Sequence, residues 1–134
     1  MVVWKNRVFD YASGGKILIS AAVFKDAYDI IREHAKKKSV VAYSDLMDKL
    51  KKRNHTKINR GTIGSIIGEI SNQISLITKP SIYPSSIVVH KGSTNTGIGF
   101  WALKKGTMPP SKIPIKNRKM ALSTYQRDVF QKPW

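Results

Sequence analysis

The 134 residues include only eight carboxylates and three histidines, and no cysteine. A nuclease would have to gather several of those carboxylates on Mg²⁺. Asp45, Asp48 and Glu69 are the one set whose positions suit that, and Asp45 is better explained as a first-turn helix residue. His34, His55 and His90 do not fall at metal-ligand spacings, and thiolate ligation is excluded. The loop GSTNTGIG (Gly92 to Gly99) carries two glycines spaced as in a phosphate-binding loop. Ile98 and Gly99 stand where its Lys and Ser or Thr belong, and a strand pattern follows where a helix should. The expectation is a protein without catalysis, metal or cofactor.

Cations carry the signal instead. There are 24 Lys and Arg against 8 Asp and Glu, a formal charge of +16. Such a field attracts polyanions, nucleic acid foremost. After Glu69 the sole acid is Asp128. The densest cluster is Lys49, Lys51, Lys52, Arg53, Lys57 and Arg60, and it ends where the longest helical pattern begins. A helix N-terminus also favours an anion, so phosphates are expected there. The competing reading is a solvated charge run.

These residues must be positioned by the elements around them. SAAVFKDAYDIIREHAKKK (Ser20 to Lys38) reads as a helix, with Phe24, Tyr28, Ile31 and Ala35 on one face. Val40 to Ala42 read as a very short strand. Ser44 then suits an N-cap, and Leu46, Met47 and Leu50 form the inner side of a short helix. The segment GTIGSIIGEISNQISLI (Gly61 to Ile77) places Ile63, Ile66, Ile67, Ile70, Ile74 and Ile77 on one stripe. Beside it runs a stripe of small residues, Gly64, Gly68, Ser71 and Ser75. A glycine inside a helix costs about 1 kcal/mol against alanine. Close approach of another backbone, protein or phosphate, is the simplest offset. Ser65, Asn72 and Gln73 face away from the isoleucines and carry groups able to bond base edges.

Ser86 to His90 and Phe100 to Lys105 read as the two strands of a hairpin around a polar tip. Lys91, Ser93, Thr94, Asn95 and Thr96 there can meet phosphates, and Lys104 and Lys105 follow. VVWKNRVF and KILISA suggest an N-terminal hairpin. A Pro-rich basic stretch leads to a closing helix with Leu122, Tyr125 and Val129 on one face. Phe100, Trp101 and Trp134 are candidates for stacking on bases.

The order helix, short strand, short helix, turn, longer helix, strand, loop, strand is that of a winged helix-turn-helix. TIGSIIGEIS, SIVVHKGSTNTGIGFW and RDVFQKPW resemble small winged-helix-like proteins of phages, mobile elements and restriction-associated genes. The shared features are a G-x-x-x-GEIS helix, a paired strand ending in a G-x-GF step, and a terminal helix with a late Trp. The resemblance covers about residues 40 to 134. It implies a fold and a nucleic-acid setting, and no catalytic residue.

The expected fold is α+β, a winged helix-turn-helix-like domain with a two-stranded wing and a C-terminal helix. Residues 1–19 would be an extension with a hairpin, 20–105 the winged-helix domain, and 106–134 a basic Pro-rich arm and helix. The expected function is non-catalytic binding of duplex DNA. The interface would be the Lys49 to Arg60 cluster with Ser65, Asn72, Gln73, Lys91, Asn95, Lys104 and Lys105. The alternative is an effector that seizes an acidic protein partner, with a nuclease a distant third. No run approaches the roughly 18–20 apolar residues of a membrane span, and the absence of cysteine fits an intracellular setting.

Overall fold

In the computed structural model, which describes residues 2–10, 14–93 and 95–134, the chain opens with a hairpin. Strand β1 (Arg7–Asp10) runs antiparallel to β2 (Lys16–Ile19), with Val8 opposite Leu18. Helix α1 (Ala21–Lys36) follows and buries Val23, Phe24, Ala27, Ile30, Ile31 and Ala35. Lys38 then takes a positive φ of 55° and turns the chain toward β3 (Val41–Ala42). Helix α2 (Tyr43–Lys52) buries Leu46 and Leu50, and α3 (Arg60–Ile77) buries Ile63, Ile66, Ile67, Ile70 and Ile74. Strand β4 (Val88–Val89) lies parallel to β3, with Val41 opposite Val88. Helix α4 (Arg118–Gln131) closes the chain. The architecture is therefore α+β, with four α-helices and two small two-stranded sheets among the described residues.

The amphipathic helices share one core. Ile31 of α1, Leu50 of α2 and Ile66 and Ile70 of α3 are all completely or almost completely buried together with Ile87 and Val88. Both termini join it. Trp4 stacks on Phe24 with ring centres 6.3 Å apart, and Tyr28 meets Trp134 edge-on at 5.6 Å. A second apolar cluster joins Tyr83, Phe100, Leu103, Leu122 and Tyr125, which fixes α4 and the stretch before it to the middle of the chain.

The expected two-stranded wing is not formed by the described residues. Its first arm is a 3-10 turn (Pro84–Ile87) leading into β4, whose partner is β3. Its second arm is a 3-10 helix over Ile98–Ala102. The physical reason lies in the burial. Phe100 and Leu103 are buried while Trp101 is half-buried and Ala102 exposed. That is a period of three, which suits a 3-10 turn, where a strand would alternate. Thr94, expected at the wing tip, lies outside the described residues.

Two local expectations are also corrected. Ser44 is not the N-cap of α2. The cap position is Ala42, and the Ser44 hydroxyl is shielded from solvent with no hydrogen-bond partner among the described residues. Ile77 ends the isoleucine stripe but is 54% exposed, because α3 stops there and the chain turns at Lys79–Pro80.

Candidate nucleic-acid interface

The basic cluster spans the C-terminal half of α2, the turn after it, and the start of α3. The turn is held in two ways. His55 Nε2 lies 2.7 Å from Asp26 Oδ2, and Arg53 Nη1 donates to Asp26 Oδ1 at 3.3 Å. Burial works against the Asp26 carboxylate, but these two partners together hold its pKa below the ordinary value. Asn59 then starts α3 with a capping box. Its side chain accepts from the N–H groups of Gly61 and Thr62 at 2.9 and 3.1 Å, and Thr62 Oγ1 accepts from Asn59 N–H at 2.9 Å. These donors are taken by the chain itself, so the helix N-terminus adds less to an anion site than the sequence suggests.

Not all of the cluster is free. Arg53 is committed to Asp26. Lys49 Nζ lies 2.9 Å from His34 Nε2, while His34 Nδ1 lies 3.1 Å from Ser39 Oγ. Burial, then the charges of Lys49 and Lys37, push the His34 pKa down, so the ring is neutral and accepts from the ammonium. Lys51, Lys52, Lys57 and Arg60 are exposed, with no carboxylate partner among the described residues.

This is part of a wider pattern. Asp10, Asp26, Asp29, Glu33, Asp45, Glu69 and Asp128 each hold a Lys or Arg of this chain within 4.0 Å. Of the eight acids, Asp48 is left. Cations outside these pairs include exposed Arg32, Lys36 and Lys38 on and after α1, the exposed residues of the α2–α3 junction, and, along 104–119, exposed Lys104, Lys105, Lys112, Lys116 and Lys119.

The outer face of α3 is divided. Glu69 Oε1 accepts from Arg7 Nε at 3.1 Å and from Gln73 Nε2 at 2.8 Å. Val3, Trp4 and Lys5 border the same two residues. Gln73 is therefore occupied, and the N-terminal segment covers its side of the helix. Ser65 and Asn72 stay half-buried on the strip that also carries exposed Gly61 and Leu76.

The small-residue stripe is divided too. Its serine half meets the chain's own backbone. Ser71 Oγ accepts from Ser85 N–H at 2.8 Å and lies 2.6 Å from Ser85 Oγ, and Ser75 is buried beside Ser81, whose hydroxyl donates to Ser75 O at 2.6 Å. The glycine half opens onto a cleft of about 450 Å³ between α2, α3 and the 97–103 segment.

The remaining expected residues scatter. Lys91 reaches Asp45 at 3.8 Å. Asn95 is exposed in a tight loop, its N–H donating to Ser93 Oγ and its carbonyl accepting from His90 N–H. Lys105 is exposed, and its carbonyl accepts from Tyr83 Oη. The stacking candidates pack internally. Phe100 is buried, Arg118 lies over the Trp101 ring at 5.2 Å, and Trp134 Nε1 donates to Val129 O. Among the described residues no three His, Asp or Glu side chains come together as a metal site would need, and no helix is long and apolar enough to cross a membrane. Sequence reasoning did not single out Tyr43 and His90, which line the cleft with rings 5.4 Å apart. Their spacing in the chain carries no signal, because β3 and β4 bring them together.

No family model, curated protein or solved structure matches this chain.

Proposed function

We propose that the chain is a non-catalytic nucleic-acid-binding protein whose partner is duplex DNA, held mainly through phosphates. One observation carries this reading. Seven of the eight carboxylates hold a Lys or Arg of this chain, while Lys51, Lys52, Lys57 and Arg60 stay exposed, with no carboxylate partner among the described residues, around the junction of two consecutive helices. Ordering such lysines on phosphates releases counterions, and that release supplies much of the free energy of binding a duplex. The succession α1, β3, α2, α3, β4 supports a winged helix-turn-helix arrangement, with the 90–97 loop in place of a β-hairpin wing. In it α3 would face the major groove with Ser65 and Asn72, and Lys104 and Lys105 would add phosphate contacts.

The test is fluorescence anisotropy with labelled duplex DNA, single-stranded DNA and duplex RNA across a salt series. Tight binding that prefers duplex DNA and weakens steeply with salt is the expected result. Weak binding to all three overturns the proposal.

A second reading has its own observation. Met108, Ile115 and Met120 are 62%, 80% and 80% exposed in the same stretch as Lys112, Lys116 and Lys119. Apolar and basic groups so mixed suit an acidic protein partner. Retention of one protein at high salt, unaffected by nuclease treatment and lost in Ile115→Ser/Met120→Ser, would favour it.

A further inference from the structure

Of the residues around the cleft between α2, α3 and the 97–103 segment, the phosphate reading takes Arg60 from its rim and leaves the space itself unused. Its volume, about 450 Å³, lies within the roughly 300–1,000 Å³ of small-molecule sites. Met47, Ile63, Ile67, Phe100 and Leu103 give it apolar walls. Arg60 and Lys91 give it positive charge, and no carboxylate lines it among the described residues. Asp45 lies outside and is the single acid within reach of Lys91, at 3.8 Å. A wall of this kind fits a molecule with an apolar body and an anionic group.

The glycines of α3 point the same way. A Cβ placed on Gly64 would find no heavy atom within 4 Å outside its own helix, and one on Gly68 would meet just Leu103 Cδ2, at 4.0 Å. Nothing in the chain requires these glycines, yet each weakens the helix. What they preserve is open space in the cleft.

We propose that this cleft binds a small organic anion. Its body rests on Ile63, Ile67 and Leu103 against the glycine side of α3. Its carboxylate or phosphate is drawn by Arg60 and Lys91. The proposal does not rest on nucleic-acid binding.

The probe is 8-anilinonaphthalene-1-sulfonate, an aromatic body with one anionic group, titrated into the full chain by fluorescence. Its neutral relative N-phenyl-1-naphthylamine reports the contribution of charge. Saturable one-to-one binding of the anion is expected, with the neutral compound weaker by about tenfold or more. Gly64→Leu, which projects a side chain into open space, should leave the urea midpoint unchanged or higher and weaken the anion at least about tenfold. Gly64→Ala, the gentler change, should fall between. Arg60→Gln/Lys91→Gln should weaken the anion and spare the neutral compound. Octanoate and adenosine monophosphate then compete as the two sources of the anionic group, and displacement by either identifies the body the cleft accepts. Equal affinity for the charged and neutral probes, undiminished binding in folded Gly64→Leu, or displacement by neither competitor overturns the proposal. Lys51→Ala/Lys52→Ala/Lys57→Ala separates the two readings, since it should impair duplex binding and leave the probe untouched.

Discussion

Replacing Gly64 by alanine should make this protein more stable. The usual gain for alanine over glycine inside a helix is about 1 kcal/mol, because the unfolded chain loses freedom and the helix gains a good former. The gain is realised where the new methyl has room. Gly64 has it, with nothing within 4 Å, and Gly68 meets Leu103 at ordinary contact distance. The two glycines lie one helical turn apart and can couple, so the double variant should gain at most about 2 kcal/mol. For a chain of this size each kcal/mol is worth about 3–6 °C in Tm. The assay is urea unfolding followed by far-UV circular dichroism, where the midpoint should rise at constant slope. Gly106→Ala is the opposite control. Its φ is +96°, and an added Cβ would collide with Tyr83 Oη and Ser81 Oγ, which are fixed by hydrogen bonds to Lys105 O and Ser75 O. That change should cost about 2 kcal/mol or more. A lower midpoint for Gly64→Ala would refute the reasoning, since it would mean that the chain itself needs the glycine and that the cleft is not what it serves.

Four other outcomes follow from the same contacts. Lys51→Ala/Lys52→Ala/Lys57→Ala should weaken duplex binding for all sequences alike and make the log–log salt slope shallower by about 2.7, at roughly 0.9 per phosphate lost; an unchanged slope would move the interface elsewhere. Asp26 has a depressed folded pKa, so its contribution is present above the unfolded value of 3.8 and is lost as pH falls through the folded one; urea midpoints of Asp26→Asn should lose that acid-range dependence, and a parallel profile would contradict it. His34 titrates below 6.5 when folded, so acidification below 6.5 destabilises the protein until the folded ring also protonates; NMR should show the lowered value, and Lys49→Gln should raise it. Ser71→Ala leaves the buried Ser85 N–H without its acceptor and should cost about 1–3 kcal/mol, read as a shift in the urea midpoint.

The helices were legible because their code is local. Phe24, Ile31 and Ala35 on α1 and the isoleucines of α3 repeat at the helical period, and each is buried except Ile77 at the end. The wing was not legible. Phe100 to Lys105 satisfies a strand pattern over so few residues that a 3-10 turn fits equally, and burial of Phe100 with Leu103 decides between them. Ser44 looked like a cap because it precedes an acidic residue, but the cap position is Ala42, two residues earlier, which places Ser44 inside the first turn.

The sequence by itself determined the charge of +16, the absence of thiol chemistry and the four amphipathic helices. These depend on composition and on spacings within one or two turns. Tertiary structure decided which cations are free. Arg53 and Lys52 look alike in the chain, but folding brings Asp26 to one and, among the described residues, no carboxylate to the other. It also decided the fate of the small-residue stripe, closing Ser71 and Ser75 against 81–85 and leaving Gly64 and Gly68 facing a cleft. Both outcomes depend on residues that meet beyond their own helix, 27 positions apart for Asp26 and Arg53 and 14 for Ser71 and Ser85, where periodicity carries no information and packing alone selects the neighbour.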